Sequence, residues 1–132
     1  MMPFSPRLRI ALATAEACAK DDVTCADIIA GIVSLAGGVA DNLLKARGFQ
    51  PGPTPAVQLD KLDHEVRAYS ADALRALSTA MQDAASRSRT LVGIEDMLIG
   101  ILSPPCAEIA QLLREKNVSP EELLSEIRRE IS

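Results

Sequence analysis

Apolar positions recur along the chain at helical spacing. Leu8, Leu12, Ala15 and Ala19 share one face of a helix, and Ala73, Leu77, Ala80 and Ala84 share another, each with the three-to-four-residue step of an amphipathic α-helix. Both stripes are narrow and rich in alanine, so a neighbouring helix can come close. Two denser runs, IIAGIV at residues 28–33 and MLIGIL at residues 97–102, read as core rather than as an exposed groove.

These elements are copies of one another. Phe4-Ser5 returns as Tyr69-Ser70, Ala11-Leu12 as Ala76-Leu77, and Thr14-Ala15 as Thr79-Ala80, all at an offset of 65. Farther on, Val23 returns as Val92, Gly31 as Gly100, Ile32 as Ile101 and Leu43-Leu44 as Leu112-Leu113, now at an offset of 69. The change of about four residues places a missing helical turn between Ala19 and Val23, in a shortened loop or first helix. The first repeat is expected to cover about residues 4–67 and the second about residues 69–131.

Local signals divide each copy into four helices. Ser5-Pro6, Thr54-Pro55, Ser103-Pro104 and Ser119-Pro120 each set a hydroxyl N-cap before a proline at the first helical position. Thr24 with Asp27 and Ser119 with Glu122 have capping-box spacing. Gly48 and Asn117 mark helix ends at corresponding places. Between the copies, GFQPGPTPAVQ at residues 48–58 breaks regular structure until a helix starts near Pro55 and runs through Leu59, Leu62 and Val66. The expected fold is all-α, eight short helices in two four-helix units related by pseudo-twofold symmetry, forming one domain over residues 1–132.

Composition supports helices. Hydrophobic residues make up 48% of the chain, yet it has two Phe, one Tyr and no Trp, so the core is built from Leu, Ile, Val and Ala. That mixture suits closely packed helices better than a sheet. The net charge of −4 excludes a phosphate-backbone binder, and Arg87 with Arg89 does not make a basic face. Cys18, Cys25 and Cys106 are an odd number at unrelated spacings, which indicates reduced small hydrophobes rather than a disulfide framework or a zinc site. His64, the single histidine, has no second ligand near it in sequence, so no metal is expected. Residues 7–19 imitate a signal peptide, but Glu16 interrupts their apolar segment. Residues 28–40 fall short of a bilayer span. A cytoplasmic protein with no membrane, nucleic-acid or cofactor partner is the expectation.

The order of these features resembles a known family. An aromatic residue followed by serine, an Ala-rich helix, VGIEDMLIGIL at residues 92–102 and A-x-L-L-x-x-x-N-V from Ala110 to Val118 are similar to the Clp amino-terminal domain. This is the double Clp repeat that precedes the ATPase modules of Clp/Hsp100 unfoldases. The resemblance spans about residues 4–131, more strongly in the second copy. It implies an eight-helix bundle that receives substrates and adaptors and does no chemistry itself. No G-x-x-x-x-G-K-[ST] stretch occurs, so no nucleotide is expected at such a loop. The expected protein is a free-standing Clp repeat module without the motor.

The resemblance also implies a candidate site. In the ClpC branch each repeat has a pocket for phosphorylated arginine, whose guanidinium is held by a glutamate before the apolar helix. Glu95 matches that glutamate in the second copy, and Ala26 stands there in the first. Asp96 and Asp27 match the neighbouring histidine, while Ser70 and Ser5 match the hydroxyl that helps hold the phosphate. Leu74 replaces a common lysine in the second copy, and Arg9 lies near Ser5 in the first. The site residues are thus Glu95, Ser70 and Asp96, for protein or phosphoarginine binding. A plainer reading makes Glu95 and Asp96 first-turn acids on a helix dipole.

The expected function is a non-enzymatic module that binds substrates, adaptors or subunits of Clp unfoldase and protease machinery and modulates proteolysis or protein quality control. The alternative is a helical regulatory or structural interaction protein that keeps the repeat fold without Clp association. No nucleophile, base and oxyanion arrangement supports an enzyme.

Overall fold

The computed structural model describes residues 4–19, 22–35, 38–49, 69–103 and 105–131. Among these residues there are seven α-helices and no named strand: α1 (Pro6–Cys18), α2 (Cys25–Val33), α3 (Val39–Ala46), α4 (Ala71–Ser86), α5 (Ile94–Leu102), α6 (Ala107–Glu115) and α7 (Pro120–Ile131). The expected helix beginning near Pro55, and His64 with it, lie outside the described residues.

The local signals act as their chemistry requires. Ser5 Oγ accepts from the Leu8 N–H at 3.2 Å, and Ser70 Oγ from the Ala73 N–H at 3.1 Å. Thr24 and Asp27 form a reciprocal capping box: Asp27 accepts from the Thr24 N–H at 3.0 Å and the threonine accepts from the Asp27 N–H at 3.2 Å. Gly48 and Asn117 both end their helices at positive φ, 94° and 56°. Ser88, at φ 58°, ends α4 in the same way without a glycine or asparagine to announce it. After each of these three residues an N–H closes back on a carbonyl five positions earlier: Phe49 on Leu44, Arg89 on Ala84 and Val118 on Leu113, the wrapped end of a Schellman motif.

One expectation needs correction. The Ser103-Pro104 pair does not start α6: its N-cap is Cys106, which makes no side-chain capping bond. Of the two places expected for the turn missing from the first copy, the first helix accounts for most of it: α1 has 13 residues and α4 has 16.

The two copies build the same joint. In the first, a Cβ on Gly31 of α2 would stand 2.2 Å from the carbonyl oxygen of Ala11 in α1; in the second, a Cβ on Gly100 of α5 would stand 2.2 Å from that of Ala76 in α4. The backbones meet there, and both predicted alanine stripes are buried around the joints. Ile28, Ile32, Met97, Leu98, Ile99 and Ile101 are wholly buried, so the two apolar runs are core.

The leading segments cross over. Phe4 pairs in parallel with Val92, and Val23 with Tyr69. The Ser5 N–H donates to the Val92 carbonyl at 2.8 Å, and the Ser70 N–H to the Val23 carbonyl at 2.9 Å. Each copy therefore places its first residues beside the start of the other copy's second helix, which is the pseudo-twofold relation in its simplest form. Tyr69 adds a side-chain hydrogen bond to Glu16; burial foremost, then that carboxylate, raises its phenol above the usual range. Farther out, Lys116 donates to the Gly48 carbonyl at 3.1 Å and lies 5.2 Å from the centre of the Phe49 ring. Arg47 pairs with Glu126 of α7, a second link between the copies.

Gly100→Ala is expected to cost about 3 kcal/mol of stability, at the upper end of overpacking costs, because the obstacle is backbone and cannot rotate away. Urea unfolding of this variant and of Gly31→Ala measures it, and losses below about 0.5 kcal/mol in both would refute the close joint.

Candidate functional site

The start of α5 is assembled from both copies. Asp96 sits three residues into the helix and accepts from the Gly93 N–H at 2.9 Å, satisfying one donor of the helix start. Its side chain is wholly buried and pairs with Arg87; Arg89 Nε lies 3.6 Å from its other oxygen. Arg87 also meets Asp83 at 3.2 Å, and Asp83 meets Arg128 of α7 at 3.4 Å. A buried carboxylate is tolerated only when its charge is answered, and here two guanidinium groups answer it. Asp96 is therefore an internal anchor joining α5 to the end of α4, with α7 connected through Asp83.

Glu95 differs from its neighbour. It is half-buried, and among the described residues no hydrogen bond or ion pair reaches its carboxylate. Gly93 is buried between opposite charges: a Cβ there would lie 3.1 Å from an Arg89 nitrogen and 3.5 Å from a Glu95 oxygen. The adjacent Val92 carries the leading segment of the first copy, with Ser5 on its carbonyl. Arg9 stands one turn beyond Ser5 on α1 and is exposed.

Ser70 is elsewhere. Because α4 and α5 form a hairpin in which Gly100 packs on Ala76 and Asp96 reaches Arg87, Ser70 at the start of α4 and Glu95 at the start of α5 lie at opposite ends of it. The structure brings Glu95 and Asp96 together with Ser5, and it sets Ser70 beside Val23 and the start of α2.

This crossing rearranges the two half-sites read from the sequence. Arg9 and Leu74 are counterparts at the offset of 65, as Ala26 and Glu95 are at the offset of 69. The start of α5 combines Glu95 with the copy that carries Arg9, whereas the start of α2 combines Ala26 with the copy that carries Leu74. Leu74 is 55% exposed. The acid absent at Ala26 is partly replaced from another element, since Glu108 of α6 accepts from the Ala26 N–H at 3.3 Å. Sequence reading missed Glu108 because it lies 82 residues away and shares no motif with Ala26.

Among the described residues, no three His, Cys, Asp or Glu side chains converge as a metal site requires. No single helix there is long and apolar enough to cross a membrane.

With this geometry in place, the chain can be set beside known structures. It superposes on the crystal structure of the N-terminal domain of the caseinolytic protease associated chaperone ClpD from Arabidopsis thaliana, with a TM-score of 0.68 and 12% sequence identity, over 98% of this chain and 97% of that one. The chain therefore has the Clp N-terminal domain fold. No family model and no curated protein matches its sequence.

The two adjacent acids are expected to separate in a stability measurement. Asp96→Ala leaves Arg87 without its buried partner and removes a helix cap, for a loss of about 3 kcal/mol. Glu95→Ala should cost about 0.5 kcal/mol or less. Equal losses in urea unfolding would overturn the division of roles.

Proposed function

We propose that the protein is a non-enzymatic polypeptide-binding module of Clp N-terminal type, acting in the cytoplasm on substrates, adaptors or subunits of Clp unfoldase and protease machinery. Residues 1–132 act as one double-repeat domain, with repeats at about residues 4–67 and 69–131. The observation that carries this reading is Glu95, a half-buried carboxylate without an internal partner at the start of α5, on a fold shared with a Clp chaperone's N-terminal domain.

The ligand is a peptide bearing arginine, phosphorylated on its guanidinium. Glu95 receives the guanidinium N–H groups, and charge-assisted bonds of this kind are the stronger hydrogen bonds of proteins. The phosphoryl group is answered by the Ser5 hydroxyl and by the cations Arg9 and Arg89. Asp96 would repel a phosphate if it were exposed. Buried against Arg87 and Arg89, it serves instead to hold the helix start in position. Ser70, beside the start of α2, belongs to a position where Ala26 and Leu74 stand in place of the matching acid and lysine.

Fluorescence anisotropy with a labelled phosphoarginine peptide tests this reading. Glu95→Ala should weaken binding about tenfold or more, the size expected when a charge-assisted hydrogen bond is lost, while Ser70→Ala should change it less than about twofold. Unchanged binding in Glu95→Ala removes the acid from the site. If wild type binds no such peptide and retains no Clp subunit on co-purification, the alternative of a helical interaction protein without Clp association takes its place.

A further inference from the structure

Two buried cysteines lie outside the site described above. Cys25 is the first residue of α2 and Cys106 the N-cap of α6, so they come from different copies. Both are free and buried, and the Cys106 side chain is a close neighbour of the Cys25 thiol. Both line one crevice, together with Asp72, Thr79 and Ser103. Beside them the Ala26 N–H reaches Glu108, so the two helix starts are held together on either side of the sulfur pair. Unrelated spacing in the sequence concealed this, because the fold rather than a motif brings the residues together.

We propose that Cys25 and Cys106 form a reversible disulfide, tying the start of α2 to the start of α6, when the protein meets a low-molecular-weight disulfide such as oxidised glutathione. Cys106 is 9% exposed and Cys25 3%, so Cys106 is the sulfur that meets the reagent. Its thiolate attacks one sulfur of glutathione disulfide, giving a mixed disulfide and one glutathione thiolate, which takes up a proton. The Cys25 thiol then loses its proton to solvent and attacks the Cys106 sulfur, expelling the second glutathione. Two protein thiols are oxidised and one glutathione disulfide is reduced to two thiols, which balances the exchange. Burial foremost, with the neighbouring Cys106 sulfur adding to it, pushes the Cys25 thiol up to about 12. The second step is therefore slow at neutral pH and faster in alkali. Cys18 lies exposed at the end of α1 and takes no part.

The test is peptide mapping of the full chain after prolonged incubation with oxidised glutathione at mildly alkaline pH. Free thiols are alkylated under denaturing conditions before any reductant is added. The expected product has lost two hydrogens, its Cys25 and Cys106 peptides stay joined until dithiothreitol is added, and Cys18→Ser oxidises as wild type does. Cys25→Ser should instead hold one glutathione on Cys106, and the closed wild type should unfold at a temperature higher by on the order of 10 °C. Alkylation of both Cys25 and Cys106, or a cross-link that includes Cys18, would overturn the proposal. The wild-type map decides the matter even if a cysteine variant does not fold.

Discussion

In each copy the paired helices meet backbone to backbone: Gly31 against the Ala11 carbonyl and Gly100 against the Ala76 carbonyl. A side chain at either glycine would push the paired helices apart, and with them the isoleucines and leucines on α2 and α5 that close the core. Alanine on the facing helix is the matching requirement, because a larger residue there would act in the same direction. Few aromatic rings are present to fill a wider gap. A core of Ala, Ile, Leu and Val is then dense enough only if the helices nearly touch.

The joint also fixes what each copy can do. With α4 and α5 closed as a hairpin, the start of α4 is at the far end from the start of α5. The leading segment beside Val92 has to come from the first copy. Phe4 and Ser5 meet Val92, as Tyr69 and Ser70 meet Val23, so each helix start is flanked by the other copy's leading segment. The outcome is one helix start with Glu95 and arginines and another with Ala26 and Leu74, a division that neither copy shows by itself.

The repeat, the all-α class, the buried apolar runs and the left-handed ends at Gly48 and Asn117 were legible because each rests on local spacing or on one residue's backbone freedom. Ser88 was not, since serine carries no helix-end signal and the wrapped end of α4 is imposed by packing. Ser103-Pro104 misled because a hydroxyl before proline is permissive for a helix start and does not compel one; α6 begins later, at Ala107. At the site, Glu95 and Asp96 could be found as a pair but not told apart, because burial beside Arg87 is decided by how α4 ends. Ser70 was paired with Glu95 on membership of the same copy, and the crossover could not be seen in one dimension. Glu108 on Ala26 and Cys25 beside Cys106 escaped for the same reason.

The proposed function rests on an imbalance of charge. The carboxylates of Asp96 and Asp83 are held by internal arginines, so Glu95 is the acid at this helix start left to an incoming group. Amide chemical-shift mapping during titration with phosphoarginine tests the composite site most directly. The account predicts shifts centred on residues 93–97 together with residues 4–9, from the two copies at once. Shifts centred instead on residues 24–27 and 70–74, or none in either region, would contradict it.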